Sequence, residues 1–155
     1  MRTIKFRARR LDNNEWVCGY FYQENGNTYI IENRQNVSML NRNIPYEVDY
    51  KTVAQNTGFY DKNGKEIYEG DVLRSDLYPF SRIEDNKRDN YFGMIGWNDE
   101  TAMFYLMDIK NPESSVVGFS DGHRSTLTQD YLQEFEVVGS ILDKKWQERL
   151  NLKSE

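Results

Sequence analysis

Residues 4–9 alternate between apolar and basic side chains, which predicts a β-strand. Apolar residues stand at the even positions of 4–8 and basic residues at the odd positions of 5–9, and a period of two is typical of a half-buried strand. In the next segment, 16–22, aromatic and apolar residues occupy both parities, so that strand can be apolar on both faces. Asn25 and Gly26 follow, and this pair predicts a two-residue hairpin because both positions tolerate positive φ. The return strand falls at 28–32, which gives a meander.

Later segments repeat this pattern of short strands and turns, and only the end of the chain indicates a helix. Leu142, Trp146 and Leu150 are spaced by four residues and Asp143 is a suitable N-cap, so a terminal helix is predicted over 143–150. The polar stretch 75–90 is predicted to be a surface loop. Further strands are predicted within 46–53, 59–67, 72–74, 91–97, 101–108, 116–119 and 135–142, and one helical turn within 126–132.

About eight or nine short strands with frequent turns predict an all-β, mainly antiparallel fold. We expect a small barrel or two packed half-barrels with a short C-terminal helix. Composition agrees, since the chain has 11 Tyr, 8 Phe and 3 Trp but only three Ala, and aromatic residues favour sheet whereas Ala favours helix. No repeat or Gly/Ser linker is visible, so a single domain is predicted over 1–150, followed by a tail at 151–155.

Composition also excludes several classes of protein. The net charge of −5 opposes broad binding to nucleic acid or to an anionic membrane, and no apolar run is long enough to span a bilayer. Cys18 is the only cysteine, so an intrachain disulfide is excluded and a reducing cytoplasm is expected. With His123 as the only histidine, the usual Cys/His zinc site cannot be assembled from one chain. We expect no cofactor.

Acidic residues cluster around two predicted turns, and two interpretations stay open. Asp61, Glu66, Glu69 and Asp71 could bind Mg²⁺ or Ca²⁺ in a metal-dependent hydrolase, because these ions prefer oxygen ligands. Alternatively, the aspartates accept backbone hydrogen bonds within the turns. The loop lacks the EF-hand pattern, and the chain has no phosphate-binding or catalytic motif. We therefore assign no catalytic or metal-binding residue and expect a protein that is not an enzyme.

The basic side of the first strand is a candidate for binding nucleic acid. Lys5, Arg7, Arg9 and Arg10 stand close together with no acidic residue among them, and such a group can neutralise several phosphates. The structural alternative is that they form the outward side of the strand, where cations discourage aggregation between sheets.

The terminal helix also allows two roles. Leu142, Trp146 and Leu150 could dock on the sheet of their own chain and close its core. They could instead form a subunit contact, since tryptophan is enriched at interfaces and a short helix is not stable by itself.

Residues 52–72 resemble the signature of the YopX-like family of phage and prophage proteins, T-V-x-Q-x-T-G followed by D-x-x-G-x-x-I-x-x-G-D. The segments 4–8, 93–97 and 136–141 are similar to other strands of that family. Arg9 and Ala54 depart from it, since the family usually has an aromatic residue and a glycine there. The signature positions, to which we assign structural roles, are Thr57, Gly58, Asp61, Gly64, Ile67, Gly70 and Asp71.

The resemblance implies a largely β fold with barrel-like halves and a phage or prophage origin, but it brings no biochemical activity or catalytic residue. We therefore expect a non-enzymatic accessory protein that acts through protein contacts in the host cytoplasm. Its partner is itself, in a homo-oligomer, or a host or phage protein, and no membrane is involved. The alternatives are a nucleic-acid-binding protein that uses the basic first strand and, third, the metal-dependent hydrolase.

Overall fold

The computed structural model describes residues 4–32, 44–76, 91–109 and 124–149. The chain divides into two compact units, Met1–Gly58 and Phe59–Glu155, and the predicted single domain over 1–150 stays a prediction beside this division. The elements in chain order are β1 (Phe6–Arg9), β2 (Trp16–Glu24), β3 (Asn27–Ile31), β4 (Pro45–Glu47), a 3₁₀ turn (Tyr50–Thr52), β5 (Ala54–Tyr60), β6 (Glu66–Tyr68), β7 (Asp71–Ser75), β8 (Tyr91–Asn98), β9 (Met103–Ile109), β10 (Arg124–Thr126), α1 (Gln129–Leu132), β11 (Glu136–Ser140) and α2 (Lys144–Arg149).

The strands form two sheets, which confirms the all-β prediction. One sheet has the strand order β4-β3-β2-β1-β5-β6 and the other β10-β9-β8-β7-β11. The pairings β1–β2, β1–β5, β2–β3 and β3–β4 are antiparallel, as are all four in the second sheet.

The predicted barrel is not present in the described part of the chain, where both sheets are open. Closing a barrel requires the two outer strands of a sheet to pair along their length. The outer strands β4, β6 and β10 are each only three residues long, and so short a strand supplies few hydrogen bonds to a partner. Short edge strands are instead a common way to discourage pairing with other chains.

The first unit buries one side of its β1–β2–β3 meander. Ala8, Val17, Ile30 and Val48 form its core, with Phe6, Tyr46 and Val53 packed against them. The Asn25-Gly26 hairpin is confirmed, since these residues have φ values of 50° and 82°. The predicted strand over 46–53 is wrong in its second half, because Asp49 accepts the backbone N–H of Lys51 (3.0 Å) and caps a 3₁₀ turn.

The second unit has two clusters of buried side chains. The larger contains Ile67, Leu73, Ile95, Phe104, Leu106, Leu127, Leu132 and Phe135, and α1, the predicted helical turn, contributes Leu132. The smaller contains Val72, Phe92 and Trp146, so α2 packs its tryptophan on the sheet. Within the described ranges, neither helix has the length and apolar composition of a membrane-spanning segment.

Several predictions fall outside the described residues. They are the strand at 116–119, most of the surface loop at 75–90, the tail at 151–155, and the positions of His123 and Leu150. Ser75, the first residue of the predicted surface loop, is instead the last residue of β7 and is fully buried.

Candidate functional site

The carboxylate of Asp61 holds together the first turn of the signature. Asp61 is only 2% exposed. Its Oδ1 accepts the backbone N–H groups of Asn63 (2.8 Å) and Lys65 (2.9 Å), and its Oδ2 accepts that of Val137 in β11 (3.0 Å). Gly64 supplies the positive φ of 77° that this tight turn needs. One side chain therefore fixes the turn and attaches it to a strand distant in sequence.

Asp71 performs a similar task at the second turn. Its buried Oδ2 accepts the backbone N–H of Tyr68 (2.8 Å). Gly70, at a φ of 76°, donates its N–H to the carbonyl of Ile95 (2.8 Å) and accepts the N–H of Ile141 (2.9 Å). The signature acids and glycines thus form backbone hydrogen bonds between the turn and its neighbouring strands.

The other signature residues occupy equally structural positions. Ile67 is fully buried in the larger core cluster of the second unit. In the first unit, Thr57 is buried, and Gly58 has a φ of 84° and donates its N–H to Oδ1 of Asn56 (2.8 Å).

The two glutamates of the acidic cluster lie apart from this pattern. The Glu66 carboxylate accepts the hydroxyl of Tyr68 (3.1 Å), and Glu69 is half-buried. In the described part of the chain, no group of three or more His, Cys, Asp or Glu side chains is placed to hold a metal ion.

The basic residues of β1 make close contacts within the first unit. The guanidinium carbons of Arg7 and Arg9 lie 4.5 Å and 4.7 Å from the centroid of the Trp16 ring, within the range of cation–π attraction. Arg7 is only 8% exposed. Arg9 also donates from Nη1 to the carbonyl of Asn14 (3.4 Å), and Lys5 is half-buried. Of these cations, Arg7 is therefore poorly placed to meet a phosphate.

Arg10 points away from this group. It forms an ion pair with Asp12 and stacks on the ring of Tyr46, 4.2 Å from the centroid. The hydrogen bond from Arg10 lowers the pKa of the Asp12 carboxyl and raises the pKa of the guanidinium. The four basic residues of the sequence prediction thus lie in two separate environments.

Strand pairing brings several aromatic side chains to the side of the first unit's sheet that is opposite its core. Directly paired residues of antiparallel strands share a face, and the registers Tyr20↔Ile31 and Tyr22↔Tyr29 align β2 with β3. The Tyr22 and Tyr29 rings stack at 5.0 Å. We call this surface the aromatic face; it consists of Trp16, Cys18, Tyr20, Tyr22, Tyr29 and Ile31.

Charged residues of both signs border the aromatic face. Arg9 pairs with Trp16 at one end. At the other end, Glu24 ends β2 and Glu47 of β4 pairs with Tyr29, and both glutamates are exposed. Partial burial, with a further contribution from Glu24, raises the pKa of the Tyr22 phenol. Arg7 pairs with Cys18, so the basic residues of β1 extend from the Trp16 end to the middle of the face, and the exposed glutamates lie at the other end.

The terminal helix packs within the second unit. Trp146 is 3% exposed, and its ring centroid lies 5.4 Å from that of Phe92. Leu142 is half-buried. The Asp143 carbonyl accepts the N–H groups of Trp146 (2.9 Å) and Gln147 (3.0 Å) in α2, whereas its carboxylate accepts the N–H of Ser140 (2.9 Å). Trp146 therefore packs on the sheet of its own chain, which is the first of the two roles predicted for the terminal helix.

The comparisons with known proteins place the chain in a family. Residues 5–144 match the family model described as YopX protein. The chain belongs to the YopX family. A crystal structure of protein EF1440 from Enterococcus faecalis is similar over 91% of this chain and 94% of that one, at 20% identity and a TM-score of 0.47. The comparison with curated proteins gives no match.

Sequence reasoning found the YopX signature but not the aromatic face. The apolar residues on both sides of the strand predicted over 16–22 indicated an unusual strand. Trp16, Tyr20 and Tyr22 already showed that one of these sides is aromatic. Tyr29 and Glu47 join that side only through the β2–β3 and β3–β4 registers. Periodicity within one strand contains no information on such registers, and these two residues were therefore missed.

Proposed function

We propose that this YopX family member is a non-enzymatic accessory protein of a phage or prophage that acts through protein contacts in the host cytoplasm and forms a homo-oligomer. The observation that carries the proposal is the distribution of exposed apolar side chains. Six of the eight large hydrophobic residues that are exposed in the described ranges lie in the first unit, namely Ile4, Leu11, Tyr20, Phe21, Ile44 and Tyr50. Exposed apolar side chains can be covered by a protein partner, and their number in the first unit supports protein contacts there.

The surroundings of the signature acids support a role without catalysis. The Asp61 carboxylate accepts three backbone hydrogen bonds and Asp71 accepts one from Tyr68, and both aspartates are buried. A carboxylate that is needed to hold a turn is a poor ligand for an exchangeable metal, because binding the ion would leave buried N–H groups without an acceptor.

Self-association is tested by light scattering coupled to gel filtration. At tens of micromolar protein, we expect a mass of at least two chains that falls toward one chain on dilution, because association follows mass action. A strict monomer over the whole concentration series would overturn the homo-oligomer.

Divalent cations test the hydrolase alternative. We expect Mg²⁺, Mn²⁺ and Ca²⁺ each to leave the melting temperature unchanged, since a ligand stabilises a protein only when it binds the folded state. The measurement is a thermal unfolding scan with each ion and with EDTA as the reference. A rise in melting temperature that Asp61→Asn abolishes would favour the hydrolase over our proposal.

A further inference from the structure

The chain contains two Asn-Gly pairs, and each lies in a tight turn. Asn25 and Gly26 connect β2 to β3, and Asn63 and Gly64 belong to the turn that Asp61 holds together. An asparagine that precedes glycine is chemically reactive, because the glycine nitrogen can attack the side-chain amide and has no neighbouring side chain to hinder it. The two pairs share this chemistry but differ in their surroundings, so the structure decides which of them reacts.

The reaction proceeds through a cyclic imide and consumes water. The glycine nitrogen forms a bond to Cγ of the asparagine and gives up its proton, while the Cγ–Nδ2 bond breaks and ammonia leaves. Water then opens the succinimide ring. Addition at Cγ leaves an aspartate, and addition at the main-chain carbonyl carbon leaves an isoaspartate, whose backbone continues through the former side chain. Nothing is oxidised or reduced.

Hydrogen bonds hold the Asn63-Gly64 pair in its turn. The Gly64 N–H, which is the attacking group, donates to the carbonyl of Asp61 (3.0 Å). The Asp61 carboxylate accepts the N–H groups of Asn63 (2.8 Å) and Lys65 (2.9 Å), and the Asp61 N–H donates to the Lys65 carbonyl (2.8 Å). Ring closure requires the peptide between Asn63 and Gly64 to rotate out of the turn, so these bonds must break first.

The Asn25-Gly26 pair lacks such restraints. Within the described ranges, neither the Gly26 N–H nor the Asn25 side chain forms a hydrogen bond. Residues 23–27 are all exposed, and the strand pair Glu24↔Asn27 closes the turn. Exposed pairs at the end of a strand open at a low free energy. The reactive conformation is therefore easier to reach at Asn25 than at Asn63.

We propose that Asn25 is a site of spontaneous deamidation, which converts it through a succinimide to aspartate or isoaspartate while Asn63 stays intact in the folded protein. This chemistry needs no partner, so the inference goes beyond the protein contacts proposed above. Both products add a negative charge beside Glu24, in a chain whose net charge is already −5.

The two products affect the hairpin differently. Asp-Gly supports the same kind of two-residue turn as Asn-Gly, so an aspartate at position 25 leaves the hairpin intact. An isoaspartate adds a carbon to the main chain, and the longer loop no longer matches the register of the flanking strands. That register pairs Tyr22 with Tyr29, whose rings stack at 5.0 Å. The isoaspartate form is therefore expected to lose part of this stacking.

The first experiment follows the wild-type chain during incubation at mildly alkaline pH, which favours loss of the glycine N–H proton. Conversion at each asparagine is measured by proteolytic digestion and mass spectrometry, with an unincubated sample as the baseline. Asn25 should convert at least about tenfold faster than Asn63, a ratio that corresponds to one hydrogen bond broken beforehand. Asn27 is an internal control, since it is also exposed but precedes the buried residue Thr28, and it should stay unchanged.

The same incubation in concentrated denaturant separates the effect of the fold from that of the local sequence. There the two Asn-Gly pairs should convert at similar rates, because the hydrogen bonds of the Asp61 turn are lost. In buffer, Asp61→Ala should speed the conversion of Asn63, whereas Asp130→Asn, a change on an exposed residue of α1, should not. A preference for Asn25 that persists in denaturant would assign the difference to neighbouring residues and overturn the inference.

Asn25→Asp is the matched variant for the products. It adds the charge without altering the path of the main chain, so it should keep the melting temperature and the near-ultraviolet circular dichroism of the wild type. The isoaspartate form, separated by chromatography after incubation, should have a lower melting temperature and a weaker tyrosine signal.

Three results of the incubation in buffer would contradict the proposal. One is equal conversion of Asn25 and Asn63 in the folded protein, and another is conversion of Asn27 at the rate of Asn25. The third is a folded chain in which Asn25 stays intact although it converts in denaturant, because the hairpin would then protect it.

Discussion

Asp61→Ala is expected to lower the free energy of unfolding by about 3–5 kcal/mol and the melting temperature by roughly 10 °C. The substitution removes the acceptor of three backbone N–H groups, those of Asn63, Lys65 and Val137. Each buried donor left unsatisfied costs about 1–3 kcal/mol, and the total is reduced where water can reach the exposed turn. The measurement is denaturant unfolding followed by circular dichroism.

Asp61→Asn separates the structural role from a catalytic one. Asparagine retains one carbonyl oxygen for the turn but directs an N–H₂ group toward the Val137 N–H, so it should destabilise the protein, though less than alanine does. Asp130→Asn is the matched control on an exposed residue of α1 and should change stability little. Replacing a catalytic acid, by contrast, often leaves the stability of a protein unchanged or raises it, because active sites are commonly destabilising. An Asp61→Asn protein as stable as the wild type would therefore contradict the structural assignment.

Trp146→Ala is expected to cost about 3–5 kcal/mol of unfolding free energy, the usual range for truncating a buried tryptophan. The ring is 3% exposed and packs with Val72 and Phe92 in the smaller cluster of the second unit. If Trp146 belongs to the core of its own chain, this loss is the same at every protein concentration. If it is a subunit contact, the loss grows with concentration, because association adds to the stability of the wild type.

Two controls accompany the tryptophan variant. Tyr60→Ala truncates a 46% exposed aromatic residue of the same unit and should cost at most about 1 kcal/mol. Gly139→Ala should be destabilising, because its Cβ would lie 2.3 Å from Nε1 of Trp146. Adding Gly139→Ala to Trp146→Ala should cost much less than it does alone, since the two residues are in contact. If the costs of Gly139→Ala and Trp146→Ala are additive instead, the Trp146 ring does not contact Gly139 in solution.

The signature could be interpreted from sequence because its interactions are mostly local. Asp61, Gly64 and Lys65 form one turn, and one of the two interpretations of the aspartate and glycine spacing was that the acids accept backbone hydrogen bonds. The bond from Val137 to Asp61 could not be predicted in the same way. It joins residues 76 positions apart, and their proximity depends on where β11 lies in the sheet.

Local pattern determined most of the secondary structure of this protein. Alternation over 4–9, the Asn25-Gly26 turn and the four-residue spacing of Leu142 and Trp146 each depend on neighbouring residues, and short-range sterics decide such features. The tertiary structure alone decided that the sheets stay open in the described residues and that Arg7 is buried and stacks on Trp16. It also decided that the rings of β2 and β3 share one face. These features depend on pairing and register between strands, which long-range packing selects and the period of a single strand does not contain.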